Sequence, residues 1–205
     1  MDSSVDATVA ALRRQAPQVT PRALQMALTS LKSLQAMGAS VRLDRLMVID
    51  YAKPAREPRL WVFDLTSKRL LFEEQVAHGR NSGGERSTQF SNEPGSLMSS
   101  LGVFLTGDTY IGKHGLSLRL RGMEEGINDQ AMERDIVMHP ASYVRRGGSI
   151  GRSWGCPAVR PEISRALIES VRGGTVLLSY YPEQSWLQSS RLTGAGVLNV
   201  ASAAP

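Results

Sequence analysis

The residues best equipped for chemistry lie between His139 and Arg160. Cys156 is the only cysteine of the chain, and it sits in the turn Ser153-Trp154-Gly155-Cys156-Pro157. His139 closes the apolar run Ile136-Val137-Met138 just upstream. A thiol needs a base to become a nucleophile, and imidazole is the usual one. Gly155 allows the sharp turn that would present the backbone N–H groups of Gly155 and Cys156 to a carbonyl developing negative charge. Ser153 is placed to support that turn or the histidine. Arg145, Arg146 and Arg152 would favour a thiolate and attract carboxylates. A lone cysteine is most often a small buried hydrophobe. The adjacent glycine, the arginines and the strand-terminal histidine set this one apart and point to Cys–His acyl transfer.

Two other chemistries fit less well. His78, His114 and His139 show no local ligand spacing, and a catalytic zinc needs three ligands and an open position, so no metal is expected. The stretch His78 to Gly84 is glycine-rich. Its spacing matches neither the P-loop nor the dinucleotide fingerprint, and it reads as a turn-rich loop.

The elements around these residues are legible. Thr20 and Pro21 open a helix whose stripe is Leu24, Ala27, Leu28, Leu31, Leu34 and Met37, with Gly38 as terminator. Residues 46–51 predict a strand. Residues 59–65 and 69–76 predict a hairpin around Thr66-Ser67-Lys68. Residues 135–139 read as a further strand, which delivers His139. Pro161 opens a second helix that Gly173-Gly174 end, and residues 175–181 form a last buried strand. The expected organisation is a helical segment over 1–40, a catalytic domain over 41–182, and a tail over 183–205 thinning into Ser, Gly and Ala. The expected fold is mainly β, a mixed β-sandwich with flanking helices.

With 41% apolar and 21% charged residues, the chain has the composition of an ordinary globular domain. The net charge of +5 suits an anionic polymer as partner. Lysines and arginines are scattered without interleaved aromatics, which argues against nucleic acid. No apolar run reaches membrane-span length, and Met1 to Asp6 lack the features of a signal peptide.

His139 together with Ser153-Trp154-Gly155-Cys156 resembles the signature of the murein L,D-transpeptidases, a strand ending in His and a loop leading to Ser-x-Gly-Cys. Gly151 to Ala158 is similar to a divergent branch of that family, in which Pro140 after the histidine is tolerated. Ala158 stands where the better-known branch has Arg, leaving Arg152 and Arg160 as candidates for that arginine's job. The stretches Gly102-Val103-Phe104 and Tyr110 to Leu120 also resemble the family, which implies a strand within residues 99–107. The resemblance implies that Cys156, His139, Gly155 and Ser153 are catalytic. It implies that Tyr110, His114, Arg152 and Trp154 line the substrate groove, and that no cofactor is needed. The implied partners are peptidoglycan stem peptides, cross-linked through a Cys156 thioester in the periplasm or elsewhere outside the cytoplasm. An L,D-carboxypeptidase using the same acyl-enzyme, an ordinary cysteine peptidase and a non-catalytic wall-binding module are the alternatives. Oligomeric state is left open.

Overall fold

The structure, a computed structural model, describes residues 3–148 and 150–194. Eight strands form one ladder in the order β3-β2-β1-β8-β4-β5-β6-β7. They are β1 (Arg45–Asp50), β2 (Leu60–Asp64), β3 (Arg69–Glu74), β4 (Gly102–Gly112), β5 (Gly115–Gly122), β6 (Val137–Pro140), β7 (Ala158–Val159) and β8 (Val176–Tyr180). The pairs β1–β8 and β6–β7 are parallel and the remaining pairs antiparallel. The chain leaving β3 at one end of the ladder curls round to the other, where Ala77 bridges Ala158 and Gly79 bridges Ser153. The architecture is therefore mainly β, a single mixed ladder drawn nearly into a barrel, with helices on its flanks.

Hydrophobic patterning accounts for the layers. Every residue of β8 is buried, as are Leu46 to Asp50 of β1. Such continuous burial is the mark of strands covered on both faces. One cover is α2 (Pro21–Ala36), which packs on β8 and β1 through Leu24, Ala27, Leu28, Leu31 and Leu34. α1 (Ser3–Gln15) packs on α2 and β3. Both helices share the main core with the strands. Met37, expected on the buried stripe, is 73% exposed, because the helix ends at Ala36 and Met37 serves as its C-cap. Met26 is buried instead. Thr20 is the N-cap, but its hydroxyl donates to the Asp50 carboxylate and caps no backbone N–H. α3 (Pro161–Val171) packs on β5, β6 and β1.

The segment expected to thin out from residue 183 begins with a short helix, α4 (Gln184–Ser189). Buried Glu124 holds it: its carboxylate accepts from Trp186 Nε1, the Ser190 hydroxyl and the Val103 N–H. The rest of that expectation, residues 195–205, lies outside the described residues. Of the β4–β5 hairpin only the start of β4 was expected; its run on to Gly112 and the whole of β5 were not. The hairpin's register shifts between Thr106 and Thr109, and it turns at Lys113-His114.

Candidate active site

The parallel pairing of β6 with β7 sets His139 opposite Ala158, and the His139 N–H donates to Pro157 O at 3.4 Å. Cys156, just before β7, is thereby held beside the strand that ends in His139. The Val137 N–H points at the Cys156 sulfur (3.5 Å), and the thiol donates to Asp135 O (3.4 Å). Asp135 has φ 52°, a left-handed conformation that aspartate tolerates better than most side chains. Among the described residues the thiol bonds backbone at both partners and makes no hydrogen bond to the His139 ring.

The turn around the thiol is braced from within. Gly155 adopts φ 127°, and a Cβ there would lie 2.8 Å from Met98 O and 2.9 Å from Ile136 Cδ1. Only glycine fits. The Ser153 hydroxyl accepts from the Gly155 N–H (3.1 Å) and donates to Cys156 O (2.6 Å). This corrects one expectation: the Gly155 N–H is spent on Ser153 and does not stand free for an oxyanion. Ser153 is a brace of the turn, which sequence type alone suggested.

His139 is 4% exposed. Its Nδ1–H donates to Pro140 O at 2.9 Å, which leaves Nε2 as the basic nitrogen of a neutral ring. Burial pushes its pKa down, the Pro140 bond opposes this, and His114 and Lys113 lower it further. Burial likewise pushes the Cys156 thiol up, against the pull of the Val137 N–H and the Arg134 charge.

The arginines resolve differently from expectation. Arg160 makes a bidentate ion pair with Glu74, both bonds 2.8 Å, tying α3 to β3. Arg152, expected at the substrate, turns to carbonyl oxygens: Gly83 (3.3 Å), Gly84, Ile150 and Gly151 (3.1 Å). A guanidinium with its fork of donors satisfies a carbonyl-rich loop better than it can wait at a groove. Arg145 is exposed and donates to Ser142 O, within its own loop. The cation that acts on the thiol is Arg134, which the sequence did not single out. It donates to Ser91 O (2.6 Å), Ser100 Oγ (2.5 Å), Ser96 Oγ (3.0 Å) and Met98 O (2.6 Å). It thereby fixes the loop whose Ser99 hydroxyl donates to Gly155 O (2.9 Å).

Of the other groove candidates, Trp154 is 67% exposed beside the thiol, with Lys113 Nζ 5.4 Å from its ring centre. His114 stacks on His139. Tyr110 lies under the Arg119 guanidinium, 4.5 Å away, and no contact joins it to Cys156 or His139 among the described residues. Tyr143 was not foreseen. Burial, with Cys156 adding to it, pushes its phenol up to about 12.

Behind the turn lies a second buried group. Arg59 is fully buried, donates twice to Val76 O and once to Lys53 O, and reaches His78 Nδ1 at 2.7 Å over the Tyr51 ring. Burial and this neighbouring charge take His78 down to about 3, so it is neutral. His78 O in turn accepts the Ser153 N–H at 2.9 Å. The glycine-rich stretch after β3 is thus a wall of the candidate site. Among the described residues, no group of three His, Cys, Asp or Glu side chains is disposed to hold a metal ion.

Residues 15–180 match a family whose description is "L,D-transpeptidase catalytic domain". No curated protein matches the chain. Among solved structures, an L,D-transpeptidase from Mycobacterium smegmatis is similar at 14% identity and TM-score 0.43, covering 67% of this chain and 59% of that one. An L,D-transpeptidase from Stackebrandtia nassauensis is similar at 15% identity and TM-score 0.41, over 88% of this chain and 78% of that one. The helical cell shape determining protein Pgp2 from Campylobacter jejuni is similar at 12% identity and TM-score 0.46, over 87% and 65%. This chain therefore spans less than two thirds of the length of the first of these and of the third.

Proposed function

The chain belongs to the L,D-transpeptidase catalytic domain family, and from that premise we propose that it cross-links peptidoglycan stem peptides through a thioester on Cys156, with His139 as the base. The supporting observation is the β6–β7 pairing, which holds the thiol beside a histidine whose Nδ1 is tied to Pro140 and whose Nε2 is basic. His139 Nε2 takes the thiol proton as the sulfur attacks the carbonyl at the L-centre of a diamino acid in the donor stem. The hydrogen bond between the two rests on closure around substrate, since such contacts often tighten only in the complex. The oxyanion is received by the Cys156 N–H, the donor that remains once Ser153 has engaged Gly155; one such donor contributes about 3 kcal/mol to the transition state. The C–N bond then breaks, and the imidazolium returns its proton to the departing D-amino acid. An amine of a second stem attacks the thioester, loses its proton to His139, and releases the thiol with a new amide.

Trp154 and the turn at Lys113-His114 border the approach to the thiol on this reading. Such a substrate places the protein outside the cytoplasmic membrane. No described helix is long and apolar enough to cross a membrane.

The test is intact mass spectrometry after incubation with disaccharide-tetrapeptide stems, wild type beside Cys156→Ala. A thioester adduct on the wild type alone, with cross-linked dimers in solution, is the expected result. An adduct that decays to tripeptide without dimers makes the protein an L,D-carboxypeptidase. A folded protein that forms neither adduct nor product, yet still binds sacculi as Cys156→Ala, is a wall-binding module.

A further inference from the structure

His114 was expected to face substrate. Its ring lies across that of His139, with centroids 4.5 Å apart and planes 23° from parallel. That is the offset-stacked arrangement aromatic rings favour. The contact is one of three that the hairpin turn makes along the site. Lys113 reaches over Trp154, His114 covers His139, and the α-carbon of Gly115 faces Pro140, whose Cγ would lie 3.7 Å from a Cβ built there. β5 pairs with β6 only at Leu118–Met138 and Arg119–Val137, so the distal hairpin runs on past these pairs toward the strand's end. His114 itself is exposed, whereas His139 beneath it is almost fully buried.

We propose that His114 is a positioning residue for the base: its ring roofs one face of the His139 imidazole, excludes water from it, and holds it in the orientation that keeps Nδ1 on Pro140. A roof of this kind has a chemical consequence. The charged form of His139 loses hydration and gains like-charged neighbours, so the neutral, proton-accepting form is favoured. The titratable and charged groups set against His139 are Lys113 and His114 from the hairpin. Arg134 and Asp135 act on the Cys156 thiol instead, which in turn acts on Tyr143. The role of the roof in turnover rests on His139 being the base; its effect on the imidazole does not, and the test separates the two.

The chain has three histidines, and His78 is held neutral to about pH 3. In His114→Ala, His139 is therefore the one imidazole left to follow above that pH in a carbon-detected NMR titration. The expected result is a rise in its pKa of about half a pH unit or more, with the acidic limb of acylation displaced to higher pH by the same amount. His114→Phe restores the stack without the charge and returns most of the depression, because burial is its leading cause. A His139 that titrates identically in wild type and His114→Ala overturns the proposal. So does one that stays displaced in His114→Phe. Because NMR needs no turnover, a chain that shows these shifts but forms no acyl-enzyme would lose the proposed function and keep the roof.

Discussion

Burial works on Cys156 and His139 in opposite numerical directions and to one chemical end: it disfavours the charged form of each. The resting pair is thiol and neutral imidazole, and under the proposed function the thiol proton is taken by the imidazole as the C–S bond forms. This predicts the behaviour of the thiol toward a small electrophile. Iodoacetamide alkylation of Cys156 is slow at neutral pH and keeps rising beyond the range of an ordinary thiol, about pH 8.5. A stable ion pair would instead alkylate at a rate already level near pH 6, and that plateau would refute the neutral pair. At this scale the sequence was informative about identity and poor about geometry. The thiol, its histidine and the bracing serine are recognisable by type and order. Arg134 and the Asp135 carbonyl are not, because their proximity to the thiol depends on backbone conformation at Asp135 and on where the loop over residues 91–100 folds back.

Among the elements, those with clean periodicity were readable: α2, the β2–β3 hairpin, α3 and β8. Of the β4–β5 hairpin only the start of β4 was. Gly102, Gly107, Gly112 and Gly115 interrupt its alternation, and the shift between Thr106 and Thr109 puts its two halves out of phase. Its long reach is nevertheless what brings Lys113 and His114 to the site. α2 poses a different question, since a leading helix is easily taken for an appendage. Leu24 is fully buried in the core shared with β1 and β8. Leu24→Ala is therefore expected to cost about 2–5 kcal/mol, read from the urea midpoint at unchanged slope. A loss below about 1 kcal/mol would show that the helix only rests on the sheet.

For the whole molecule, stability is tied to pH through the buried histidine behind the turn of Cys156. His78 has a folded pKa of about 3, against about 6.5 in the unfolded chain. Between those values the unfolded state binds a proton that the folded state does not. The stabilisation is complete above pH 6.5 and declines as pH falls, with a limiting slope of about 1.4 kcal/mol per pH unit. Asp50 and Glu124, both raised by burial, act the other way: each favours the fold less as pH rises through its carboxylate range. Comparison with His78→Gln, which retains an acceptor for Arg59, cancels the carboxylates. The wild type should lose stability faster than this variant from pH 7 to pH 4, by urea denaturation; parallel curves would rule out His78 as the cause. The closure of the ladder carries one more consequence. The bridges Ala77–Ala158 and Gly79–Ser153 join segments far apart in sequence, so the cysteine's turn is set only after these long loops have closed, and such non-local closure is slow. Before that moment the sulfur is an ordinary solvated thiol, more readily ionised than in the finished protein. The growing chain is thus at its most vulnerable to oxidation and alkylation before its fold is complete, and completing the barrel protects the thiol as well as positioning it.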